Sequence, residues 1–394
     1  MRKYCLSELI VELESGSRPE GGVKSSQGEV FSLGAEHLND YGGFNFKNPR
    51  YIPLDFYLNQ KKGKLAKNDI LLVKDGATTG KVSFVDNSFP YKNASINEHV
   101  FRLKIDESRC VPKFLFWFLR SPKGQNQLMK DFRGATVGGI TKNFINKVNF
   151  NLPPLSEQRR IVKTLDTIQG LIDKRKETIR LLDEYIKAVF LDMFGETEQT
   201  ATLGELLKSK ESFKCGPFGS QLKIGEFVKE GIPVYGIDNV SINGFIDAKP
   251  KFITPEKFEE LSAFSVSADD ILITRTGTVG RSCLAPKKIP KAIIGPNLLK
   301  VRCNPSVILP EYLSFALNHD RSVIDQVLSM SPGATVAVYN TTNLKNLRIK
   351  VPEIKKQHEF LLRYGNVRKI NMLFQDNDHL IKRFFNRVLS QSIT

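Results

Sequence analysis

The sequence repeats itself once, at an offset of about 200 residues, and this limits the folds open to it more than any other feature. Leu6-Ser7-Glu8-Leu9 returns as Leu203-Gly204-Glu205-Leu206, and Phe44 with Tyr51-Ile52 as Phe245 with Phe252-Ile253. Asn68-Asp69-Ile70-Leu71 returns as Asp269-Asp270-Ile271-Leu272, and Gly134-Ala135-Thr136-Val137 as Gly333-Ala334-Thr335-Val336. Leu152-Pro153 and Gln158 return as Val351-Pro352 and Gln357. Matches that keep one order across both halves identify a domain duplication. The period is far above the roughly 20–50 residues of solenoid repeats. Two copies predict pseudo-twofold symmetry within one chain.

Each copy opens with short apolar runs broken by Gly, Asn, Asp and Pro, such as Val30–Leu33, Lys81–Val85, Val100–Leu103 and Val234–Ile237. Alternation with turn signals predicts a β-rich domain. A helix is expected after Pro112 and again after Pro310, since Pro suits a first helical turn. The period then changes. After Pro153-Pro154, with Ser156 and Glu157 as helix-start chemistry, apolar residues alternate at spacings of four and three. They are Ile161, Leu165, Ile168, Ile172, Ile179, Leu182, Ile186, Val189 and Met193, interrupted only by Arg175. That is a heptad seam, and from Ser156 to Met193 it predicts a helix of about 57 Å at 1.5 Å per residue. Phe360, Tyr364, Val367, Phe374, Ile381, Phe385 and Val388 keep the same register in the second copy, with Asn371 and Asp378 as polar breaks. A coiled coil between the copies is expected, its polar seam residues fixing the register. The predicted class is α/β (α+β). Two β-rich domains (1–155 and 196–352) are separated by two antiparallel helices (156–195 and 353–394).

The chain has 394 residues, a net charge of +16 and a pI near 9.5. Such an excess favours a polyanionic partner, nucleic acid first. Most of it lies on the β-rich parts: residues 1–155 carry 23 Lys and Arg against 15 Asp and Glu, and residues 196–352 carry 19 against 16. The five cysteines form no C-x-x-C pair and read as reduced, buried thiols. The histidines show no metal-ligand spacing. No apolar run approaches the length of a membrane span, and the N-terminal stretch lacks the apolar core of a signal peptide, so a cytoplasmic location is expected. Gly76-Ala77-Thr78-Thr79-Gly80-Lys81 follows an apolar strand and looks like a phosphate loop. It is one residue short between the glycines, and Val82 stands where the magnesium-binding hydroxyl belongs.

Two variable domains alternating with two long helices, the first entered through Leu152-Pro153-Pro154-Leu155-Ser156-Glu157-Gln158-Arg159-Arg160-Ile161, resemble the specificity subunit of type I restriction-modification systems. The second entry, Val351-Pro352-Glu353-Ile354-Lys355-Lys356-Gln357, is degenerate. The family's D-I-L-x-x-x-x-G loop matches Asp69 to Gly76 and Asp270 to Gly277. The resemblance implies that each domain reads one half of a split DNA site and that the helices set the gap. It implies two DNA methyltransferase (modification) subunits as partners, with motor-nuclease subunits bound through them. S-adenosylmethionine, ATP and Mg would bind those partners, and this chain would hold no cofactor. The residues agree with a non-catalytic chain. Asn151-Leu152-Pro153-Pro154-Leu155 is not the N-P-P-aromatic face of an adenine methyltransferase, which must flip its base. Glu353-Ile354-Lys355 lacks the Pro-Asp that would complete a nuclease set. Rival readings are a stand-alone DNA-binding regulator, an NTPase built on Gly76–Lys81, and a plain coiled-coil scaffold.

On this reading the two glycine loops present small polar side chains and a cation to DNA. In the first copy these are Lys74, Thr78, Thr79 and Lys81; in the second, Arg275, Thr276, Thr278 and Arg281. Lys81 and Arg281 suit phosphate, while Lys74 and Arg275 suit a guanine edge. Arg18, Lys24, Arg133, Thr136, Lys142 and Asn143 join the first set. Ser220, Gln221, Lys223, Thr335, Tyr339 and Asn340 join the second. Against this stands the plainer reading, in which the glycines only shape hairpins and single lysines are solvated. Most true contacts would position the DNA and not read it.

Overall fold

The computed structural model describes residues 2–22, 29–134, 138–247, 250–276, 280–329 and 341–392. It falls into two compact units, residues 1–177 with 374–394, and residues 178–373. Each unit therefore contains one β-rich copy and a segment of each long helix.

In the first unit a four-stranded antiparallel sheet runs in the order Ile10–Ser15, Val100–Ile105, Ile70–Val73, Val82–Phe84. A three-stranded sheet, Tyr51–Ile52, Val30–Leu33, Ala94–Ile96, includes one parallel pair. The strand Ile70–Val73 explains the unbroken apolar run. Ile70 and Leu72 enter one core and Leu71 and Val73 another, and all four are fully buried. A strand covered on both faces has no polar side to alternate with. The second unit repeats the plan. Phe213–Cys215, Leu298–Val301, Ile271–Thr274 and Ser282–Leu284 form the larger sheet, and Lys251–Ile253, Ile232–Tyr235 and Ile293–Ile294 the smaller. Ile271 and Ile273 again part from Leu272.

The Asn-Asp or Asp-Asp pair before each central strand has a physical cause. Asn68 (φ 70°) and Asp269 (φ 64°) take the left-handed conformation, which Asn and Asp tolerate better than most residues. The next carboxylate, Asp69 or Asp270, is buried and accepts the backbone N–H of Ala66 (2.7 Å) or Ser267 (2.8 Å). An arginine completes each site. Arg102 meets Asp69 at 3.2 Å, and Arg302 binds Asp270 through Nε at 2.7 Å and a second nitrogen at 3.0 Å.

Chain entry and exit are clipped together. Arg2–Cys5 pairs antiparallel with Asn149–Leu152, and Thr200–Thr202 with Arg348–Lys350. The exit strands lead into the long helices Leu155–Phe194 and Ile354–Ser392. The first begins one residue before Ser156, which thus lies inside the first turn and does not cap it. Glu157 does work in that turn, pairing with Arg160 at 2.6 Å. The repeated glutamine proves to be a brace. Gln158 is fully buried, takes the N–H of Val111 (2.7 Å) and donates to the carbonyls of Pro153 (2.8 Å) and Arg109 (3.3 Å). Gln357 does the same to Leu309 (2.8 Å), Pro352 (2.7 Å) and Val307 (3.2 Å). Each ties the start of a long helix to the start of a domain helix, Pro112–Arg120 or Pro310–His319.

In the first unit the early residues of one long helix meet the late residues of the other, and the two segments run antiparallel. Ile161 and Leu165 share a core with Leu389, against which Phe385 and Val388 pack. Ile168 and Ile172 are buried, Ile381 and Phe374 half-buried. The seam break Arg175 lies over the Phe374 ring, 4.9 Å from its centroid, and donates to the Phe374 carbonyl at 3.0 Å. In the second unit Ile186 and Val189 share a core with Phe360 and Val367, flanked by Leu182 and Tyr364, while Ile179 is half-buried. The stripe there departs from a strict heptad. Phe190 and Phe194 are also buried and stack around Phe360, Tyr312 and Phe315. The domain core, as well as the facing helix, draws the stripe. The cysteines are free, but Cys5 and Cys215 are only partly buried, against the expectation of full burial.

Candidate nucleic-acid interface

The loop from Lys74 to Lys81 closes a hairpin between Ile70–Val73 and Val82–Phe84. Gly80 donates to Val73 O (2.9 Å), Val73 to Lys81 O (2.9 Å), Lys81 to Thr78 O (3.2 Å) and Thr79 to Gly76 O (3.2 Å). The Thr79 hydroxyl also donates to Gly76 O at 2.6 Å. Gly76 and Gly80 have φ of 89° and 91°, and a Cβ on Gly80 would lie 2.3 Å from the Met129 methyl. The amides of Thr79, Gly80 and Lys81 are thus already bonded within the turn and that of Gly76 to Gly138 O (3.4 Å), which counts against the cradle of free amides that an NTPase loop offers its phosphate. Thr78 and Thr79 are half-buried.

The cations around this turn are held by acids. Lys81 Nζ lies 2.7 Å from Asp40, whose side chain is 75% exposed. Lys74 reaches Asp75 at 3.8 Å and sits over the Phe101 ring at 5.6 Å. Asp75 in turn bonds His99 Nδ1 at 2.5 Å. Exposed pairs such as Lys81–Asp40 contribute about 0–1 kcal/mol, so a phosphate can replace the carboxylate at little cost. Gly139 bridges Asp75 on one side and pairs with Arg133 on the other, which brings the exposed Arg133 beside the loop. Lys142 and Asn143 are exposed on the short helix Lys142–Asn146, with Asn143 accepting from Asn146 at 2.9 Å. Arg18 is ion-paired with Glu98.

In the second copy Thr274 donates to Arg281 O (2.9 Å) and Gly280 to Thr274 O (3.1 Å), the same hairpin frame. Arg281 is exposed and has no ion pair among the described residues. Arg275 and Thr276 are half-buried, and Arg275 Nε is buried without a partner among the described residues. Ser220, Gln221 and Lys223 lie on an exposed loop, where Gln221 accepts from Phe218 N (3.3 Å) and Lys223 N donates to Glu226 (2.5 Å). Phe218 and Ile224 flank it, 65% and 88% exposed. Their signal in the sequence was a large apolar side chain inside a polar loop, Pro217-Phe218-Gly219-Ser220. Lys24, Thr136, Thr278, Thr335, Tyr339 and Asn340 lie outside the described residues.

Burial pushes the thiols of Cys110, Cys283 and Cys303 up to about 12, far from the thiolate a nucleophile requires. No group of three His, Cys, Asp or Glu among the described residues could hold a metal ion. No described helix is long and apolar enough to cross a membrane. The long helices instead show bare apolar side chains. Leu171, Leu380 and Phe384 in the first unit are at least half exposed. So are Leu181, Tyr185, Leu191, Leu362, Met372 and Leu373 in the second.

Residues 3–181 and 197–365 each match the type I restriction modification DNA specificity domain. The StySPI specificity subunit of Salmonella potsdam is 22% identical, over 97% of this chain and 89% of its own. The EcoKI specificity subunit of Escherichia coli is 23% identical over the same shares. The fold matches the type I restriction-modification S subunit from M. genitalium with a TM-score of 0.60 and 17% identity, covering 100% of this chain and 96% of that one.

Proposed function

Because the chain belongs to the type I restriction-modification DNA specificity family, we propose that it reads a split DNA site, one half with each β-rich copy. It is the specificity subunit of such an enzyme, and catalysis falls to partner chains. The observation that carries the split reading is the hairpin built alike in both copies on different side chains. The frame from Val73 to Lys81 and from Thr274 to Arg281 shares its cross-strand bonds, while Lys74 and Asp75 of the first copy stand where Arg275 and Thr276 stand in the second. One frame with two side-chain sets suits two unlike half-sites. Arg281 and Lys81 serve phosphates, and Arg275 and Lys74 the bases.

The helix Leu155–Phe194 has 40 residues, about 60 Å at 1.5 Å per residue. It sets the scale of the unread gap, at most about 18 base pairs at 3.4 Å each. The bare leucines and aromatics on the long helices support docking of two methyltransferase subunits, which would bring S-adenosylmethionine and, with the motor-nuclease, ATP and Mg. Apolar side chains repeated along a helix face are a common docking surface for amphipathic helices. The complex would work in the cytoplasm.

The test is methylome sequencing of cells carrying this chain with its cognate methyltransferase, against cells carrying the methyltransferase alone. A split methylated motif that needs this chain is expected, and exchanging residues 1–155 for those of a relative should change one half of it. A motif that appears without this chain, or changes in both halves on the exchange, would refute the proposal.

A further inference from the structure

A cleft of about 780 Å³ in the first unit lies away from the hairpin loop. Its walls carry Lys3, Lys123, Lys130 and Lys147, with Asn126 and Asn149 among the remaining lining residues and no carboxylate. We infer that this cleft is a second DNA contact, which holds the phosphate backbone of the duplex beyond the bases that the first copy reads. It rests on the reading of the chain as a DNA-recognition subunit.

Three parts of the chain supply its lysines. Lys3 comes from the first strand, Lys123 and Lys130 from the helix Pro122–Met129 and the residue after it, and Lys147 from the turn before Asn149–Leu152. Lys147 is held at the wall by Asp131, 2.6 Å away and wholly buried. Lys3, Lys123 and Lys130 are exposed and have no acid partner among the described residues. Like charges gathered without counter-charges repel one another and favour a polyanion. The helix Pro122–Met129 also connects the cleft to the reading loop, since Gln125 donates to Gly80 O at 3.0 Å and Met129 covers Gly80. A backbone seated in the cleft therefore lies one helix away from the hairpin.

The fold does not require these lysines. Gln127 braces Asn149 (Nε2 to O 2.9 Å, N to Oε1 2.6 Å) as Gln326 braces Arg348 (3.0 and 2.9 Å), which fixes the correspondence between copies. On it Lys123, Lys130 and Lys147 answer to Ser322, Ser329 and Asn346, and Lys3 answers to Thr200. Cations near the second position are engaged elsewhere: Arg321 with Asp325 and Lys350 with the Gly195 carbonyl. The cleft is thus a property of one copy. It accounts for much of the difference between a domain with 23 cations against 15 acids and one with 19 against 16.

The experiment titrates the full chain, with Lys3, Lys123 and Lys130 all changed to Gln, against a 30-base-pair duplex of mixed sequence at several salt concentrations. Each lost phosphate contact lowers the slope of log K against log salt by about 0.9. The slope should fall by about 2–3, and binding should weaken tenfold or more at low salt. Lys61→Gln with Lys62→Gln, an equally exposed pair elsewhere in the unit, should leave the slope nearly unchanged. Lys123→Gln with Lys130→Gln serves as a second variant if the triple change disturbs the first strand. An unchanged slope while the wild type binds DNA overturns the cleft and leaves the recognition reading standing. No binding by the wild type overturns both. If polyglutamate binds through these lysines while DNA affinity is unaltered, the cleft belongs to an acidic protein segment and the inference fails.

Discussion

Replacing Gln357 with Met should destabilise the second unit without touching a recognition loop. The thioether has nearly the volume of the amide, so little cavity forms. What disappears is a set of three bonds in a fully buried place: the Leu309 N–H loses its acceptor, and the Pro352 and Val307 carbonyls lose their donor. A buried donor left unpaired costs about 1–3 kcal/mol, and a carbonyl can find a second partner more readily. We expect a loss of about 2–4 kcal/mol, which for a unit of this size lowers the melting temperature by roughly 4–16 °C. Hydrogen exchange checks the cause, since the Leu309 amide and the first turn of Pro310–His319 should lose protection before the rest. Gln158→Met should do the same at Val111 in the first unit. A variant that keeps its melting temperature and loses only partner binding would refute the brace and make the glutamine a docking residue.

Asp270→Ala should cost about 2–4 kcal/mol, because it strips Arg302 and the Ser267 amide of one shared buried acceptor; chemical denaturation checks it, and Asp269→Gly beside it should be nearly neutral. His319 is partly buried against Phe315 and near Lys187, and burial pushes its pKa down to about 4. Below about pH 6.5 the unfolded chain takes up a proton that the folded chain refuses, so stability falls as pH drops, by about 2 kcal/mol between pH 7 and 5. His319→Gln should flatten that slope in melting curves. Leu181→Lys with Leu362→Lys should leave the melting temperature almost unchanged and weaken assembly with the methyltransferase, read by sedimentation. Arg281→Gln should shift stability by less than about 0.5 kcal/mol and reduce methylation at every site uniformly, as loss of a phosphate contact does.

The duplication and the doubly covered strands were legible because they are written locally, in order and in runs such as Ile70-Leu71-Leu72-Val73. The seam was legible too, apart from Phe190 and Phe194. These sit at helical spacing from Ile186, and a heptad reading passes over them, because Tyr312 and Phe315 pull the stripe from more than 100 residues away. Gln158 was visible as a repeat, but its partners at Arg109 and Val111 are joined to it only by the fold. The loop cations were found and their acids were not. Asp40, which holds Lys81, stands 41 positions earlier in a segment with no visible link to it. The cleft lysines had no signal beyond a surplus of charge, because Lys3 and Lys147 become neighbours only when the first strand pairs with Asn149–Leu152.

Arg175 and Phe374 stand 199 residues apart and occupy the same place in the two copies. Here a residue touches its own counterpart. In a self-paired single copy, that place would set like against like: arginine against arginine, which repels, or phenylalanine against phenylalanine. Joining two copies in one chain removes the requirement that both be identical, and a guanidinium over a ring is an arrangement that no pair of identical halves can reach. The same contact that holds the helices in register therefore ties this chain to its fused form, since reverting either residue to match the other would lose the cation–ring attraction.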